Sequence, residues 1–63
     1  MTDSNRTNLL SKLNEGLEII DSITFDIMKD DNFINNNKFM AVMKYLSDIC
    51  SRITLIHDIL EKV

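Results

Sequence analysis

The chain has no proline and a single glycine, so the residues that interrupt helices are almost absent. No run alternates apolar and polar residues with period two, which removes the signature of a half-buried strand. A lone cysteine, Cys50, rules out an intrachain disulfide, and no Cys/His cluster has the spacing of zinc ligands. No apolar stretch approaches the roughly 18–20 residues that span a bilayer, and the start of the chain lacks the hydrophobic run of a signal peptide. The net charge is −3, with acidic and basic residues interspersed, so there is no basic face of the kind a phosphate backbone requires. Nor is there a Gly-rich phosphate loop, a metal-ligand spacing or a nucleophile–base–acid set. On these grounds the chain is expected not to be an enzyme, to hold no cofactor and no metal, and to have no dealings with a membrane. Nucleic acid is disfavoured as a partner, and the expected setting is the cytoplasm.

What is present is apolar helical periodicity. Apolar residues make up 44% of the chain, too many for a disordered polymer of 63 residues and enough for one thin core. Phe39, Val42, Leu46, Ile49, Ile53, Ile56, Leu60 and Val63 follow one another at spacings of three and four, the repeat of a helix that packs along one seam. Leu10, Leu13, Leu17, Ile20, Thr24 and Ile27 do the same earlier in the chain, with Leu9, Ile23 and Met28 on the flanks of that stripe. The polar run from Asp30 to Asn37 separates the two stripes, because Asn and Asp bond their own backbone and tolerate left-handed conformations. The pattern predicts a single all-α domain: helix over about 5–29, turn over 30–37, second helix over about 38–62, closed as an antiparallel coiled-coil-like hairpin. Each helix would be about 37 Å long.

Local features refine this expectation. Asp3, Ser4 and Thr7 can each cap the first helix, and Asn36 or Asn37 the second. Gly16 lies at the edge of the first stripe and points to close approach of the other helix in preference to a kink. Phe33 and Ile34 are expected to fold back and plug the open end of the hairpin. Lys44, Asp48 and Arg52, and separately Asp58 and Lys62, have the spacing of i, i+4 charge pairs. Met43, Cys50 and His57 recur every seven residues beside the seam. Residues seven apart on a helix are about 10 Å apart along the axis, too far to share an ion. Their expected role is therefore packing, as a partly buried flank that meets the other helix.

The residues that bear on function are apolar ones off the seam. Leu55, Ile59, Met40 and Tyr45 on the second helix, and Ile19 and Phe25 on the first, point away from the expected contact. A two-helix hairpin has no inner face left to hide them. They are the expected partner-binding residues, with Leu55 and Ile59 at the centre, helped by Met40 or Tyr45, and Ile19 with Phe25 as the next candidate face.

In length and architecture, and in the late segment Ile53-Thr54-Leu55-Ile56-His57 followed by Leu60, the chain resembles the small co-chaperones of type III secretion needle subunits, the YscE/EscE type. The resemblance implies a helical hairpin that binds a larger helical-repeat chaperone and, with it, keeps the needle subunit from polymerising early. The expected function is thus a small protein–protein interaction module, a co-chaperone or regulatory subunit that binds a helical partner protein. The alternative is a homodimeric four-helix-bundle regulator, in one version related to nucleic acid. Either way the isolated chain is expected not to be a stable monomer, because burial along one seam roughly cancels the cost of ordering the chain.

Overall fold

The computed structural model describes residues 1–63, and its only regular elements are helices, with α1 over Asp3–Met28, the single turn α2 over Asp31–Ile34, and α3 over Phe39–Glu61. No strand is present, and α1 packs against α3 as a hairpin. Its Cα extents are 47 × 15 × 9 Å. The radius of gyration is 14.9 Å, where a compact chain of this length would have about 11 Å. The molecule is a rod.

Local chemistry sets where the helices begin and end. Thr2, one residue ahead of the expected caps, holds an extended backbone and accepts from the Asn5 N–H through Oγ1 at 3.1 Å. Several short polar residues in a row make the exact cap undecidable from sequence. Asp30 ends the first segment and caps α2, its Oδ1 accepting from the N–H groups of Asn32 and Phe33 at 3.1 Å each. The last residue before α3 is Lys38, which has no side-chain capping bond; Asn36 instead accepts from the Lys38 N–H at 2.8 Å, just ahead of the helix. No residue in the turn adopts a positive φ, so the Asn run works through side-chain hydrogen bonds and not through left-handed backbone. Phe33 folds back as expected, meeting Phe39 edge to face at a centroid separation of 6.0 Å. Ile34 does not share in this and stays exposed.

All six expected seam residues of α1 face α3 and are half-buried, as is Gly16. Thr24 fits in this apolar stripe because its hydroxyl donates to the Ile20 carbonyl at 2.9 Å, within its own helix. A methyl group at Gly16 would lie 3.9 Å from Ile53 Cδ1, and α1 runs unbroken through this position. A methyl group would thus fit at ordinary contact distance, and the approach of α3 is not close enough to require a glycine here.

On α3 the expected register is corrected. Phe39, Val42, Leu46, Ile53 and Leu60 are half-buried as expected, but Ile49, Ile56 and Val63 are exposed. Met43, Cys50 and His57 are half-buried, as expected of a flank that meets the other helix, and Cys50 and His57 take the places assigned to Ile49 and Ile56. The contact repeat is thus Phe39, Met43, Leu46, Cys50, Ile53, His57 and Leu60, with Val42 on its margin. It is the same three-four alternation rotated toward the Met–Cys–His side.

The expected charge chain Lys44–Asp48–Arg52 and the pair Asp58–Lys62 do not form. The ion pairs are instead Asp3–Arg6 at 3.0 Å and Glu61 with His57 at 3.3 Å. Exposed pairs of flexible side chains gain too little to be held in one geometry. Arg6 closes the far end of the rod, its guanidinium donating to the Val63 carbonyl while its Nε has no partner.

Candidate interaction surface

No residue of the hairpin is fully buried. Even seam leucines keep contact with solvent, because each helix can be covered on one side only. The exposed area is 4990 Å², whereas a folded single chain of 7.3 kDa would expose about 4,200 Å².

The uncovered apolar surface is not evenly spread. At about 100° per residue, Leu9, Gly16 and Ile23 flank the α1 seam on one side, and Asn14 and Asp21 on the other. On α3, Ile49 and Ile56 lie on one flank; Ser47, Thr54 and Glu61 lie on the opposite one. Two contacts tie the flanks together. Gly16 abuts Ile53, on the Ile49/Ile56 side of its seam. Asp21 and Ser47 line one shallow groove, with Thr24, Met43, Leu46 and Cys50 at its floor. The hairpin therefore has one broad apolar face, carrying Leu9, Ile19 and Ile23 from α1 and Tyr45, Ile49 and Ile56 from α3. The other broad face is mainly polar, with Asn14, Glu18, Asp21, Ser47, Thr54, Asp58 and Glu61.

All six residues expected to bind a partner are exposed. Helix geometry does not unite them. Ile19 and Tyr45 belong to the apolar face. Leu55 and Ile59 lie one turn apart on the back of α3, along the edge of that face. Met40, which is 74% exposed, and Phe25 lie on the polar face near the turn, where Phe25 also packs beneath the Lys29 ammonium at 3.9 Å from its ring centre. The expected groupings of Met40 with Leu55, and of Phe25 with Ile19, are thus separated by the width of the rod. Ile49 and Ile56, which complete the apolar face, were hidden in the expected seam. Their spacing of seven, shared with Val42 and Val63, is the signal that a second heptad runs beside the first.

Polar chemistry is sparse. His57, Asp58 and Glu61 bring one ring nitrogen and two carboxylates within 4.8 Å of one another. The two carboxylates are exposed on one helical turn, and the His57–Glu61 contact is an i, i+4 pairing, an ordinary grouping on an acidic helix. Cys50 is a half-buried free thiol in the seam. A second shallow groove, at the turn, is lined by Asp26, Ile27, Asp30 and Phe33. No helix is long and apolar enough to cross a membrane.

Searches of protein families, curated protein sequences and solved structures return no match to this chain.

Proposed function

We propose that the chain is a protein–protein interaction module: a helical hairpin whose apolar broad face is covered by a second helical surface, in the manner of a cytoplasmic co-chaperone or regulatory subunit. The observation that carries this reading is the pairing of a core without one fully buried residue with an apolar face that runs along one side of the rod, while the other side is apolar only near the turn, at Phe25, Met28 and Met40. An exposed apolar strip along two helices is complementary to another pair of helices and not to a polyanion. The opposite face, bearing Glu18, Asp21, Asp58 and Glu61, would repel nucleic acid. The role of co-chaperone to a helical-repeat protein, which the resemblance to the needle-subunit co-chaperones implies, is one form of this reading.

Photo-crosslinking in the native cell tests it. A crosslinking amino acid at Ile56 should give a discrete protein adduct. The same group at Thr54, on the other broad face, should give none. Equal labelling from both positions, or none from Ile56, would refute the assignment.

A further inference from the structure

Resting on the reading that the apolar face is an association surface, we propose that its occupant is a second copy of this chain. The two hairpins pack face to face about a two-fold axis that crosses near Ile19 and Ile49. In this bundle α1 lies antiparallel to the partner's α1, and α3 antiparallel to the partner's α3.

Area gives the first argument. The hairpin exposes 4990 Å² against the roughly 4,200 Å² expected for its mass, an excess of about 800 Å². That is close to the about 800 Å² each partner contributes to an interface of standard size. A symmetric interface must also be self-complementary, since the same patch appears on both sides.

Charge gives the second argument. Lys12, Ile19 and Asp26 are spaced by sevens along the outer margin of the apolar face on α1. An antiparallel match centred on Ile19 brings Lys12 opposite the partner's Asp26 and repeats that pairing at the symmetric position. The α3 side agrees in register. Gly16 is level with Ile53, so in an antiparallel hairpin Ile19 is level with Cys50, one residue from Ile49. An axis near Ile49 sets Val42 opposite the partner's Ile56, and Tyr45 close to the partner's Arg52, an arrangement that suits a cation over an aromatic ring. Matched margins of this kind fix orientation and register more than they add affinity.

The experiment measures mass and dissociation constant by sedimentation equilibrium at low salt, with helicity followed on the same samples. It compares the unaltered chain, Lys12→Asp, Asp26→Lys and the double reversal Lys12→Asp/Asp26→Lys. The proposal expects a dimer, a weakening of about tenfold or more in each single reversal, and recovery to within about threefold in the double one. A dimer indifferent to all three changes would overturn the proposed axis. A monomer would overturn the second copy as occupant, and its folding state then separates the two claims. A weakly helical monomer leaves the apolar face open to a different protein, whereas a monomer that melts cooperatively removes the need for any association.

Discussion

The two broad faces of the hairpin are made by the same two helices, yet they differ in kind. One carries Leu9, Ile23, Ile49 and Ile56 at heptad spacing; the other carries Asn14, Asp21, Ser47 and Thr54 at the same spacing one flank over, and turns apolar only beside the turn, at Met28 and Met40. A free hairpin in water would gain by making both faces polar, since each has equal access to solvent. The asymmetry is what a hairpin covered along one face would need. α3 shows it most clearly. The side chains turned toward α1 include Met43, Cys50 and His57, while isoleucines at 49 and 56 are left 41% and 47% exposed. The stronger hydrophobes sit outside the contact that the hairpin itself makes.

Substitution on matched positions of the two faces should break this comparison open. Replacing Ile49 and Ile56 together by Ser should weaken association by ~2 kcal/mol or more, through the apolar area that can no longer be withdrawn from water. Ser47→Ala with Thr54→Ala should change it by no more than ~0.5 kcal/mol. Sedimentation equilibrium of the two double variants checks both at once, and equal losses would show that the faces are equivalent. A smaller effect is expected in the seam that both faces share. Cys50→Ala should cost about 1 kcal/mol in urea unfolding and leave binding intact, because a half-buried thiol acts there as a small hydrophobe. The smallest effect has the opposite sign. Gly16→Ala should stabilise the chain by up to about 1 kcal/mol, seen as a raised melting temperature. The added methyl would meet Ile53 Cδ1 at an ordinary contact distance of 3.9 Å.

Most of the fold was legible in the sequence because one kind of signal determines it. Six residues from Leu10 to Ile27 define a single stripe on α1, and all six pack. The break at Asp30–Asn37 was equally plain, although the capping turn of α2 within it was not. The register of α3 was misread for a physical reason. Phe39, Leu46, Ile53 and Leu60 are common to two overlapping heptads, one completed by Val42, Ile49 and Ile56 and the other by Met43, Cys50 and His57. Hydrophobicity favours the first, but the seam uses the second. A single helix bearing two apolar heptads does not say which of them a given neighbour covers. The same ambiguity concealed the apolar face. With Ile49 and Ile56 read into the seam, Leu55 and Ile59 group with Met40 or Tyr45, and Ile19 with Phe25, although the helices direct Met40 and Phe25 to the opposite side from Tyr45 and Ile19.

The central claim is that this hairpin completes its core by covering the apolar face. It is tested most directly by thermal unfolding, followed by far-ultraviolet circular dichroism, over a hundredfold range of chain concentration. Where folding is coupled to association, the midpoint rises with concentration. The account predicts a steady rise for the unaltered chain and a lower curve for the Ile49→Ser/Ile56→Ser variant. A cooperative midpoint that does not move with concentration, in a sample whose mass is that of one chain, would contradict it.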